Sequence, residues 1–180
     1  MKTLGVDELI DLCKRKDEAA QMEIYQRFHL AMFHTALRIV NHSVDAEDIM
    51  HDAFLAAFEK LHQYRGENKF GGWLKQITVR KAINFYEKNK PLVTSDFDEE
   101  IPSEETPFPQ AENSQIKQLQ MALNQLIPRY RNVLILMYME GYDYEELSEI
   151  LDLSYGNCRT LVSRAKEQLK QKMTAHEIQL

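Results

Sequence analysis

The sequence predicts an all-α protein made of an N-terminal helical bundle and a C-terminal four-helix domain with a helix-turn-helix, two small domains joined by an acidic flexible linker. Three observations predict it. Apolar residues recur at helical spacing along most of the 180 residues and nowhere alternate with period two. Residues 91–113 interrupt that pattern with four prolines and seven acidic residues, and contain no Lys or Arg. Near the C-terminus, two helical stripes flank a turn of only three residues, 152–154.

In the first domain, residues 1–90, Val6, Leu9, Ile10 and Cys13 fall at i, i+3, i+4 and i+7 and predict a first helix. A second carries Ile24, Phe28, Met32 and Ile39. The third is the most regular, with Ala46, Ile49, Met50, Ala53, Phe54, Ala57, Phe58 and Leu61 on one face. A loop over residues 63–69, containing Gly66 and Asn68, separates it from a fourth helix that starts near Phe70. That helix has Trp73, Leu74 and Ile77 as its stripe and runs towards Lys88.

Residues 91–113 are too charged and too proline-rich to bury a core, so they read as an extended, self-repelling tether. They also change the meaning of the net charge of -6, which is otherwise unfavourable for a nucleic-acid binder. Without them the chain carries 22 basic residues against 21 acidic ones.

The second domain, residues 114–175, opens with a helix marked by Ile116, Leu119, Leu123 and Leu126. Pro128, suited to a first turn, starts the next, which passes Val133, Leu134 and Met137 and stops at Gly141. Asp143 with Glu146 three residues on is an N-cap pair for a short helix bearing Leu147, Ile150 and Leu151. Ser154 caps the last helix, whose stripe is Cys158, Leu161, Val162, Ala165 and Leu169.

With that stripe turned inward, Tyr155, Asn157, Arg159, Thr160, Ser163 and Arg164 form the outer surface of the second helix of the helix-turn-helix, the position that meets base edges in a major groove. On the fourth helix, Arg80, Lys81, Lys88 and Lys90 accompany aromatic Trp73, Phe85 and Tyr86, with Tyr64 and Phe70 at the ends of the loop. Cations for phosphates beside rings for unstacked bases suit single-stranded DNA, although Trp73 lies on the apolar stripe and reads first as core. Asp45, Glu47 and Asp48 open the third helix, where acids favour the helix dipole. Asp52 extends the acidic surface a turn further and suggests a basic partner helix.

These residues in this order resemble the extracytoplasmic-function group of sigma factors of bacterial RNA polymerase. The resemblance rests on Asp45-Ala46-Glu47-Asp48-Ile49 with Asp52 and Phe54, then Phe70 with Trp73-Leu74 and Ile77. It continues through Leu126-Ile127-Pro128 and Gly141, on to Tyr144-Glu145-Glu146-Leu147, Ser154 and Gly156. It implies an alternative sigma factor that binds the polymerase core and helps melt the minus-10 region. Asp45, Asp48 and Asp52 would dock on the coiled coil of the largest subunit. Tyr64, Arg65, Asn68, Lys69, Phe70, Arg80, Lys81, Asn84 and Lys88 would handle the minus-10 element. Ser154, Tyr155, Asn157, Arg159, Thr160, Ser163 and Arg164 would face the minus-35 element, the second domain would meet the polymerase flap, and the linker would lie in the RNA exit path. A membrane-bound anti-sigma factor is a further candidate partner. The chain departs from the group's pattern at His51, Arg80, Asn84, Asp152, Asn157, Cys158 and Leu161, so promoter preference does not transfer.

Other classes fit less well. Asp48 with His51 and Glu59 with His62 have carboxylate-x-x-His spacing, but eleven residues separate the pairs, about 16 Å along one helix, too far to share a dinuclear metal centre. Two distant cysteines, Cys13 and Cys158, argue against a disulfide framework or zinc site. A freestanding helix-turn-helix regulator would need a receiver or ligand pocket, for which residues 1–90 show neither strands nor a Gly-rich phosphate loop. No nucleophile, base and oxyanion set marks an enzyme, and no cofactor is expected. Neither a signal peptide nor a spanning segment is predicted, which places the protein in the cytoplasm.

Overall fold

In the computed structural model, residues 4–66, 69–89 and 114–177 are described; they are helical, with no strand among them. The linker, residues 91–113, and Asn68 lie outside the described residues. The chain divides into two compact units, Met1–Asn89 and Lys90–Leu180.

The first unit holds α1 (Val6–Lys14), α2 (Glu18–Val40), α3 (Ser43–Glu59) and α4 (Phe70–Lys88). Asp17 starts α2 by accepting a 2.8 Å hydrogen bond from the Ala20 amide, and Asn41 ends it in the left-handed region at φ 57. Helices α2, α3 and α4 pack on one another, and α1 closes over α2. The stripes expected from periodicity are the core: Leu9, Ile10, Ile24, Met32, Met50, Phe54 and Leu74 are all buried. Full burial of each large aliphatic side chain contributes about 1.5 to 3 kcal/mol.

Two details correct the sequence reading. The third helix ends at Glu59 rather than continuing to Leu61. Leu61 is nevertheless buried, because a 3-10 turn, Leu61–Gln63, carries it back onto the core beside α1. Gly71 marks a close approach that the sequence did not reveal: a Cβ there would lie 3.0 Å from Phe28 Cε1, so α4 comes down almost directly on α2.

In the second unit, α5 (Ser114–Asn124), α6 (Pro128–Leu134) and α7 (Tyr144–Leu151) all pack in whole or part against α8 (Tyr155–Glu177) or the segment leading to it. α6 runs on into a π-helical turn, Ile135–Met139, closed by the Glu140 amide donating to the Ile135 carbonyl at 3.0 Å. Gly141 then reverses the chain at φ 81. The widened turn keeps Ile135 and Leu136 together in the core, each 1% exposed or less. Arg131 and Asn132 are also buried there.

Of the two helices flanking the 152–154 turn, only α7 is short; α8 extends for 23 residues. Its expected stripe is buried at Cys158, Leu161, Val162 and Ala165. The start of α5 differs from its sequence reading. Ile116 and Leu119 are 47% and 37% exposed and line one wall of an open apolar hollow of about 440 Å³, shared with Ile135, Tyr138, Lys166 and Leu169.

Candidate nucleic-acid and polymerase interface

Because Asp143 and Glu146 cap α7 reciprocally, the first helix of the helix-turn-helix begins at a fixed residue. The Asp143 carboxylate accepts from the Glu146 amide at 2.8 Å, and Glu146 accepts from the Asp143 amide at 3.0 Å. Asp152 then ends α7 at φ 51, and Ser154 Oγ accepts from the Asn157 amide at 3.2 Å to open α8. The turn is thus held at both ends by side-chain or left-handed backbone geometry. Asp152 adopts there the conformation for which glycine is favoured.

On α8, burial of Cys158, Leu161 and Val162 leaves Tyr155, Asn157, Arg159, Thr160, Ser163 and Arg164 exposed, with Ser154 at the helix start. Thr160 Oγ1 donates to the Gly156 carbonyl at 3.0 Å. The Tyr155 ring packs edge-on against Tyr144, centroids 5.8 Å apart, so α7 steadies the first residue of the exposed surface. Burial pushes the Cys158 thiol above its ordinary range, partly opposed by its hydrogen bonding with Ser148.

In the first unit, Arg80, Asn84 and Lys88 lie four residues apart on α4 and are all exposed, a ridge about 12 Å long. Lys81, beside it, is held by Asp52 of α3, Nζ to Oδ2 3.7 Å. Arg65 and Lys69 are exposed at the two sides of the loop. Phe70, expected among the DNA-facing residues, is instead 3% exposed, packed against Phe28, Tyr64 and Trp73. At the first turn of α4 its ring points into the bundle, so it supports the loop from beneath and presents no face for a base to stack on. Tyr64, half-buried, packs at 5.6 Å from Phe70 and 5.4 Å from Trp73. Desolvation, with the charge of Asp7 adding to it, holds its phenol above the usual range. Trp73 is part of the core packing, in keeping with its place on the apolar stripe.

Asp45, Asp48 and Asp52 share one face of α3, about 10 Å end to end. His42 caps α3, its Nδ1 accepting from the Asp45 amide at 3.5 Å and lying 3.1 Å from Asp45 Oδ2. Val44 and Leu55, 59% and 62% exposed, flank the acids. Sequence reasoning missed these two as surface features, although both fall outside the buried stripe and so could have been found as apolar residues on the wrong face. His51 and His62, raised by their spacing as ligand candidates, have other neighbours. His51 Nε2 is 3.0 Å from the Tyr25 hydroxyl, and His62 Nδ1 is 3.2 Å from the Glu59 carbonyl.

No helix among the described residues is long and apolar enough to cross a membrane. Residues 24–91 match the family model for sigma-70 region 2, and residues 116–169 match that for sigma-70 region 4. The chain is 29% identical over 153 residues to the ECF RNA polymerase sigma factor SigM of Bacillus subtilis (strain 168), covering 82% of this chain and 91% of SigM. It is 28% identical over 152 residues to the ECF RNA polymerase sigma factor SigE of Mycolicibacterium smegmatis, covering 81% of this chain but only 58% of that longer relative. Among solved structures, the sigma factor RpoE in complex with the anti-sigma factor NepR from Bartonella quintana superposes with a TM-score of 0.54 at 20% identity, over 85% of this chain and 96% of that one. Two matched regions in sequential order, on helices that expose a helix-turn-helix surface, make this chain a member of the sigma-70 family, in its extracytoplasmic-function group, an alternative sigma factor that directs RNA polymerase to promoters.

Proposed function

We propose that the two units grip promoter DNA at separate elements and do so effectively only on the polymerase core. The observation that carries this is the division of α8 into a fully buried stripe and a polar, basic outer surface from Tyr155 to Arg164. A surface of that kind suits the major groove of the minus-35 element, with Arg159 and Asn157 near the helix start reading bases and Arg164 further along steering by charge. The ridge of Arg80, Asn84 and Lys88, with Tyr64, Arg65, Asn68 and Lys69 of the loop, takes the minus-10 element, where an extruded base starts melting.

The acidic face of α3 docks on a basic coiled coil of the largest polymerase subunit. Asp48 and Asp52 supply charge, and the exposed Val44 and Leu55 supply apolar area at its rim. In the second unit, the open hollow beside Tyr138 and Lys166 is the surface apolar enough to seat a flap element of the polymerase. Each DNA contact alone is weak, and holding both units on one enzyme makes the second contact effectively intramolecular. The seven acids of the linker oppose unspecific attraction of the free chain to DNA.

The protein then acts in the cytoplasm by binding, without chemistry of its own. An anti-sigma factor is a partner of the kind seen with the Bartonella RpoE fold. Run-off transcription with purified core polymerase tests the whole reading. Accurate initiation from a cognate promoter is expected only when this chain is added. Tight specific duplex binding without any affinity for the core would overturn it.

A further inference from the structure

Asp52 and Lys81 belong to different helices and, in the reading above, to different partners, yet they hold each other. Asp52 stands one turn past Asp48 on the docking face of α3, and Lys81 stands beside Arg80 on α4. Their exposures differ. Lys81 is 34% exposed, whereas Asp52 is 68% exposed and remains open to a competing cation. An ammonium paired with a carboxylate attracts phosphate less, because the nearby negative charge cancels much of its field. An exposed pair of this kind is held weakly, so a better-placed cation can dissolve it.

We propose that Asp52 masks Lys81 in the free chain, and that a basic residue of the polymerase that engages Asp52 frees Lys81 for the DNA phosphates. The inference rests on the assignment of α3 to polymerase docking and of α4 to DNA. It adds that one ion pair links the two, so that docking raises DNA affinity through a residue that touches no DNA. Asp52 is in this sense a positioning residue. Asp48 provides the internal control. It carries the same charge one turn away, is exposed, and among the described residues has no ion-pair partner.

The test uses the full-length chain and a fluorescein-labelled dT12 strand at low salt, followed by anisotropy. Asp52→Asn, Asp48→Asn and Lys81→Met are measured singly, and each Asn variant is combined with Lys81→Met, after circular dichroism has shown unchanged helicity. Lys81→Met is expected to weaken binding. Asp52→Asn is expected to tighten it about two- to fivefold more than Asp48→Asn does, the range an exposed ion pair allows. That excess should vanish on the Lys81→Met background. Equal tightening by the two Asn variants, no tightening at all, or an excess that survives Lys81→Met would overturn the inference. So would a Lys81→Met variant that binds dT12 as well as the unaltered chain. None of these outcomes alters run-off transcription by the unaltered protein, so failure of the masking idea is separable from failure of the functional reading.

Discussion

Asp143 and Glu146 satisfy each other's backbone amides, at 2.8 and 3.0 Å, and this reciprocal cap fixes where α7 begins. Both amides would otherwise be orphan donors of the first helical turn. Replacing Asp143 by Ala should therefore cost about 1 kcal/mol, read as a lower urea midpoint for the second unit with an unchanged slope. A change below a few tenths would mean water serves the amide equally well.

Arg159 is exposed within the second turn of α8, outward of buried Cys158 and Val162. On the polymerase-bound protein, Arg159→Ala should weaken promoter binding by about 1 to 3 kcal/mol and relax preference at one base pair of the minus-35 element. A uniform loss across promoter variants would instead assign it to a phosphate.

Lys88 lies at the end of the α4 ridge, exposed and in the helix's last turn. Lys88→Ala should flatten the dependence of log affinity on log salt by about 0.7 to 0.9, as expected when one phosphate is no longer neutralised by the protein. An unchanged slope would remove Lys88 from the DNA surface.

Leu74 has no exposed surface and sits among α1, α2 and α4 residues of the first core. Leu74→Ala should destabilise the first unit by about 2 to 5 kcal/mol, measured by thermal or urea unfolding. By contrast Leu55→Ala, at 62% exposure, should leave stability within about 0.5 kcal/mol while lowering affinity for the polymerase core.

Cys13 and Cys158 are buried, and desolvation raises both thiols above their ordinary range, Asp17 adding to the effect at Cys13. A thiol kept neutral in the folded chain but free to ionise when unfolded gives stability that is fully present below the unfolded thiol's range. It is lost as pH rises from there towards the folded value. Stability should accordingly decline above about pH 8.5, and both cysteines should react slowly with iodoacetamide until the chain unfolds. Rapid native labelling of Cys158 would show that α8 opens locally.

Much of this protein was legible in its residues because its helices are amphipathic and punctuated. The period of Ala46, Ile49, Met50, Ala53 and Phe54 marks α3 and its buried face without any knowledge of neighbours, since only one face of a helix can reach a core. Asp143, Glu146 and Ser154 announce helix starts because their hydrogen bonds span three residues. The composition of residues 91–113, proline-rich, acidic and without an apolar stripe, is read for the same local reason. What periodicity could not decide was which elements meet. Whether Phe70 stacks on a base or fills the bundle depends on Phe28 of α2 and Tyr64 of the loop, brought to it by two other segments, beside Trp73 of its own helix. The π turn at Ile135–Met139 lies in an unbroken apolar run that carries no phase. The exposure of Ile116 and Leu119 follows from a hollow that only the placement of α6 and α8 creates. The pairing of Asp52 with Lys81 joins residues 29 positions apart in sequence, on helices whose packing alone brings them to 3.7 Å. Short-range hydrogen bonding and side-chain period are written in the order of residues; contact between distant segments is settled only when the helices dock.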